Sequence, residues 1–221
     1  MNSFYNQSII IQWILAFFMF SLMVALMILW ILLVKTSYLL FFSVFIFIPI
    51  SQFLVSPLYT LMGLYKYLSP ILLAVNASDK KYDMHNGTTF DYLFVMRSIK
   101  PGALWKKAML IYYLDGLLEI IRRVEENEIP DTVEVKGSSY FFSERTAQNL
   151  GFEIKNAGSF EKFNLLLNYL DLFWTYSVSR GKLSFPNLLN TLTASTNGRL
   201  LVQHKPNILR YKSIIEGASL S

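Results

Sequence analysis

The sequence predicts a two-helix transmembrane hairpin followed by a cytoplasmic α/β domain with a small mixed sheet, and three observations carry that prediction. Of the 20 basic and 15 acidic side chains in the 221 residues, only Lys35 and Lys66 precede residue 79. Two uncharged apolar runs, Ile9 to Val34 and Ser37 to Leu64, fill most of that charge-poor part and are separated by Lys35 and Thr36 alone. Beyond it, strand-like alternation and helical spacing follow one another, as in chains that pack helices on a sheet. The reading divides the chain into a hairpin at 1–64, a juxtamembrane connector at 65–78 and a cytoplasmic domain at 79–221.

The first run, at about 1.5 Å per helical residue, outlasts a hydrocarbon core of roughly 30 Å and fits one tilted span. A cleaved signal peptide would have a basic start and a shorter apolar stretch, whereas Met1 to Gln7 carries no charge. The second run contains Pro49 and Pro57, so a helix there should kink, or end near Pro57. It fits a full span, or a re-entrant or surface-lying segment. Because the link is so short, two spans must run antiparallel. Lys66, Lys80 and Lys81 on one side outweigh Lys35 at the turn, which places both termini in the cytoplasm by the positive-inside rule. Trp13, Trp30, Tyr38, Tyr59, Tyr65 and Tyr67 stand where interfacial aromatics belong. Neither run carries an ionisable side chain, so an ion or proton pathway is not predicted and the hairpin reads as an anchor.

In the remainder, Asn86-Gly87 between alternating residues (Tyr82 and Met84; Phe90, Tyr92 and Phe94) predicts a β-hairpin over Lys80 to Met96 with a type I′ turn. Pro101-Gly102 opens a long helix with Leu104, Ala108, Ile111, Leu114, Leu118 and Ile121 on its apolar stripe, stopped by Pro130. Thr132 to Lys136 is the next strand, parallel to its predecessor because a helix intervenes. Ser143 caps a short helix through Asn149, Leu150-Gly151-Phe152 fits a left-handed helix end, and a fourth strand runs Phe152 to Lys155. Ser159 to Arg180 is the most apolar soluble segment and reads as a core helix or as a helix on the bilayer surface. Arg199 to His204 would be the last strand and Pro206 to Glu216 the last helix.

The charges beyond residue 78, 18 basic and 15 acidic, nearly balance, so nucleic acid is not expected as a partner. The absence of cysteine excludes disulfides and thiolate chemistry. Dinucleotide, P-loop, nucleophile-elbow and zincin motifs are missing. The candidate catalytic residues are Asp83, His85 and Asp91, a histidine with two carboxylates around the predicted turn. They suit acid–base work or metal ligation, or are ordinary turn and edge polarity. No metal site is assigned. The helix start at Ser143 to Thr146, after Tyr140-Phe141-Phe142, could hold an anion or be a plain cap.

The order of hairpin, long helix from Ala103, strand Val133 to Lys136, short helix and then Leu150-Gly151-Phe152-Glu153 resembles the C-terminal half of GCN5-related N-acyltransferases over residues 81–155. That resemblance implies acyl-CoA as cofactor, with its pyrophosphate held near Gly102 and Ala103. Where the family often carries a tyrosine general acid, four residues before the glycine, this chain has Ala147. The expected function is therefore a membrane-anchored protein with a scaffold or interaction domain or a membrane-complex subunit, partnered by the lipid bilayer and other membrane proteins and needing no cofactor. The alternative is a membrane-tethered, acyl-CoA-dependent N-acyltransferase-like enzyme.

Overall fold

Residues 3–139, 144–188 and 191–217 are described by a computed structural model of the chain. The first apolar run is helix α1 (Ile9–Thr36), whose Ser8 accepts a hydrogen bond from the amide of Ile11 and so caps the first turn. The second run is a 3-10 turn, Tyr38–Ser43, leading into α2 (Val44–Leu61), which continues past Pro57 rather than ending there. Two hydrogen bonds fix the helices as an antiparallel pair. Trp30 Nε1 donates to Ser43 Oγ at 2.8 Å at the turn end, and the Tyr5 hydroxyl donates to Thr60 Oγ1 at 2.9 Å at the open end. Along α1 only Gln12 and Ala16 are buried, while Ile10, Ile14, Phe17 and Phe18 stand exposed.

Six strands form one mixed sheet: β1 (Tyr65–Ser69), β2 (Leu72–Val75), β3 (Lys81–Asn86), β4 (Glu134–Ser139), β5 (Glu153–Asn156) and β6 (Leu192–Asn197). Their order is β1-β2-β3-β4-β6-β5, with β3 and β4 parallel and every other pair antiparallel. The helices that follow α2 are α3 (Thr89–Val95), α4 (Ala103–Glu125), α5 (Glu144–Asn149), α6 (Ser159–Leu167), α7 (Tyr169–Arg180), α8 (Gly198–Gln203) and α9 (Lys205–Gly217). Helix α4 lies across one face of the sheet, with α8 and α9 packed on it. The core there joins Leu72, Ala74, Tyr82 and Val135 from the strands to Met109, Leu114 and Ile120 from α4. Full burial of such side chains stabilises by about 1.5–3 kcal/mol each.

Several expectations are corrected. Residues 65–78 do not form a connector. They supply β1 and β2, because Ile71 to Val75 is a continuous apolar run that suits a strand buried on both faces. The Asn86-Gly87 hairpin does not form either. Neither residue has positive φ, and Thr88 starts α3 with a capping box in which its side chain takes the Asp91 amide while the Asp91 carboxylate accepts the Thr88 amide. Thr88-x-x-Asp91 was the competing local signal, and it satisfies two helix-end donors that a two-residue turn would leave to solvent. The parallel strand pair is present, but it joins β3 to β4.

The buried stripe of α4 is Trp105, Met109, Tyr113, Leu117, Ile120 and Val124, with Leu114 and Ile121 beside it, and Leu104 is 51% exposed. The helix offered two adjacent apolar stripes, and the sheet took the one with the larger side chains. Arg199 to His204 is mostly helix α8, capped by Asn197, and the last strand lies just before it. The expected core helix at Ser159 to Arg180 breaks at Asn168 into α6 and α7, and α6 buries no residue.

Candidate functional site

Strand alternation sends Tyr82, Met84 and Asn86 of β3 under α4 and Lys81, Asp83 and His85 to the opposite face. The parallel register sets Asp83 beside Lys136 of β4. Over this polar face stand α6, the start of α7 and the lower half of α2. Between them opens a cleft of about 540 Å3, lined among others by Gln52, Asp83, His85, Lys136, Glu161 and Asn168.

Ion pairs and amide contacts set the electrostatics of the cleft. Lys81 Nζ reaches Asp83 Oδ2 at 2.9 Å, and Lys136 Nζ reaches Glu161 Oε1 at 3.0 Å, tying the sheet to α6. The bond to Glu161 raises the pKa of Lys136, and the same bond lowers that of Glu161. Gln52 Nε2 donates to Asn168 Oδ1, which ties α2 to the joint between α6 and α7. Asp171 accepts from the Thr89 hydroxyl and the Trp174 indole. The His85 side chain makes no hydrogen bond among the described residues. The residue is exposed at the cleft, and the protein around its ring lowers its pKa by displacing part of its water, with the Asp83 carboxylate pulling the other way. The arrangement offers a polar ligand both donors and acceptors.

The structure brings Asp83 and His85 together, roughly 7 Å apart along one strand face, and leaves Asp91 out. Asp91 is completely buried, where its carboxylate accepts the Thr88 amide at 2.9 Å and the Tyr67 hydroxyl at 2.7 Å. Burial pushes the Tyr67 hydroxyl well above its ordinary pKa, and the neighbouring Asp91 charge adds to the rise. Asp91 is thus a structural cap, closed off from solvent.

Gly102 and Ala103 lie elsewhere, at the start of α4. Gly102 takes a φ of +93°, and its amide donates to the Val178 carbonyl at 2.8 Å. That donor is spent on the end of α7. The glycine helix end is formed: Gly151 has a φ of +86°, and the Phe152 amide donates back to Ala147 O at 3.0 Å. Ala147 lines an apolar cavity of about 80 Å3 beneath α4. Of the helix start expected at Ser143 to Thr146, Glu144 to Thr146 form the first turn of α5, while Ser143 and the preceding Tyr140 to Phe142 lie outside the described residues.

Among the described residues, no group of three or more His, Asp or Glu side chains is placed to hold a metal ion. Sequence reasoning missed Gln52, Lys136, Glu161 and Asn168. They come from four separate elements, and no local motif links them. No protein-family model, curated protein or solved structure matches this chain.

Proposed function

We propose that this is an integral membrane protein held by the α1–α2 hairpin with both termini cytoplasmic, and that its α/β domain is an interaction module presenting the β3–β4 cleft to a polar partner. The exposure of α1 carries the reading. The most apolar 18 residues of this 28-residue helix have a mean hydropathy of 2.8, and none of them is buried. A soluble protein's core helix hides such residues, because leaving them in water forfeits about 25 cal/mol per Å2 of apolar surface. The hairpin also packs into the domain instead of trailing from it: Leu54 to Leu58 of α2 are buried, and Phe4 and Phe53 both pack on Phe90 of α3. The lysine asymmetry supports the cytoplasmic side.

Reporter fusions at the two termini, read together with alkaline carbonate extraction of membranes, test this. The expected result is a cytoplasmic signal from both fusions and retention of the protein in the membrane pellet. Opposite signals, or release by carbonate, would overturn the hairpin.

The run of α4, β4, α5 and the Gly151 helix end favours a second reading, the acyl-CoA-dependent enzyme. It requires amide donors near Gly102 for the pyrophosphate. With the Gly102 amide bonded to Val178, calorimetry on the full-length protein in detergent is expected to show no coenzyme A binding. Micromolar binding abolished by Gly102→Glu would promote the enzyme.

A further inference from the structure

We infer that the bilayer contact extends beyond the hairpin, with α6, α7 and the loop after them resting in the membrane interface through Phe160, Phe163, Leu166, Leu170, Leu183 and Phe185. The inference rests on the proposed anchor and adds a second, peripheral contact to it. Three observations support it.

The first is exposure. Phe160 is 81% exposed, Phe185 68% and Phe163 56%, and all six side chains come from one continuous stretch of chain. Phe185 stacks on Phe173 at 4.9 Å between ring centroids, so the loop folds back onto α7 and the apolar surface is a joint one.

The second is depth. The hydrogen bonds Trp30–Ser43 and Tyr5–Thr60 set the hairpin register, and Gln52 lies between their two levels. Stepping along α2 from Ser43 to Gln52 carries α1 back from Trp30 to Ser21. Stepping from Thr60 to Gln52 carries it forward from Tyr5 to Trp13. The α6–α7 joint, hydrogen-bonded to Gln52 through Asn168, is therefore level with the stretch Trp13 to Ser21 of α1. In that stretch Ile14, Phe17 and Phe18 stand exposed and no residue is charged. At about 1.5 Å per residue, α1 exceeds a roughly 30 Å core by about 12 Å. With that excess at its N-terminus, α1 leaves the core over about its first eight residues, so the Trp13–Ser21 level straddles the edge of the hydrocarbon, where an interfacial helix buries its apolar face roughly 5–10 Å deep.

The third is charge. Lys162, Arg180 and Lys182 flank the apolar face and form no ion pair among the described residues. Of the acids on the same helices, Glu161 is paired by Lys136, and Asp171 lines the cleft with hydrogen bonds from Thr89 and Trp174. Three basic side chains against the one unpaired acid leave the net charge positive, as an anionic leaflet favours.

The chain has no cysteine, so single-cysteine variants of the full-length protein can carry an environment-sensitive fluorophore at Phe163, Leu166, Leu22 or Arg210. The protein would be reconstituted in phosphatidylcholine–phosphatidylglycerol vesicles containing nitroxide lipids, labelled either near the headgroup or near the chain end. The expected result is a blue shift at Phe163 and Leu166 with several-fold stronger quenching by the headgroup-proximal nitroxide. Leu22 should be quenched by the chain-end nitroxide and Arg210 by neither. Quenching at Leu22 without quenching at Phe163 and Leu166 would overturn the inference and leave the anchor standing. A blue shift there without lipid quenching would mean that protein covers the face, which also overturns it. An unquenched Leu22 would remove the anchor and this inference together.

Discussion

Gly102 and Gly181 meet back to back, so that a Cβ on Gly181 would come within 3.2 Å of the Gly102 Cα. Gly102 opens α4 and Gly181 closes α7, with φ values of +93° and +65°. Together with the Gly102 amide bond to Val178, the contact locks the helix over the sheet to the helix over the cleft. A packed contact between two helix ends thus occupies the position where the resemblance would place a cofactor.

Gly181→Ala is expected to lower stability by about 1–2 kcal/mol, from left-handed strain plus the steric approach. Gly181→Asn should cost less, because asparagine tolerates that conformation. Gly102→Ala should cost more than Gly181→Asn, since its backbone region is essentially reserved for glycine, at about 1–3 kcal/mol. Thermal unfolding of the detergent-solubilised protein would rank the three.

Asp91 holds the base of α3 from inside the protein. Asp91→Ala leaves the buried Thr88 amide and the Tyr67 hydroxyl without this acceptor, for an expected loss of about 2–4 kcal/mol. Asp91→Asn keeps the shape and one acceptor oxygen, so its loss should be smaller. Unfolding midpoints would measure both, and a neutral Asp91→Ala would contradict the capping role.

A fragment of residues 79–221 is expected to aggregate. It lacks β2, the antiparallel neighbour of β3 over Leu72↔Asn86 to Val75↔Asp83, and strips Leu72 and Ala74 from the core under α4. It also removes Phe4 and Phe53 from Phe90. Size-exclusion chromatography and a melting curve decide the matter, and a monodisperse fragment with a cooperative melt would show that β1 and β2 are dispensable.

Stability should fall in acid through Glu119. Arg122 donates to its carboxylate through two nitrogens at 2.9 Å and Arg123 through one at 2.7 Å. Their bonds hold the Glu119 carboxyl down at about 2, Arg122 contributing most, while burial acts upward. An unfolded glutamate titrates near 4.3. The folded pKa is the lower one, so the contribution is complete above the unfolded value and is lost as pH falls from there to about 2. For a partly solvated pair the amount is about 1 kcal/mol. Melts recorded across that window should show a slope that Glu119→Gln flattens.

What the sequence determined by itself was local. The two charge-free runs, the long helix from Ala103 and the glycine helix end at Gly151 follow from apolar spacing and from residues whose backbone preferences leave little choice. Tertiary structure decided the rest. Leu72 to Val75 became a strand because β1 and β3 were there to take its backbone bonds, and Thr89 to Val95 became a helix because the Thr88–Asp91 capping box outcompeted the Asn-Gly turn. Asp83 and His85 came to share a cleft with Lys136, Glu161 and Asn168, while Asp91, near in sequence, went into the interior. The physical reason is that periodicity specifies which face of an element is apolar. What lies opposite that face is set by strand register and helix packing between residues far apart in the chain.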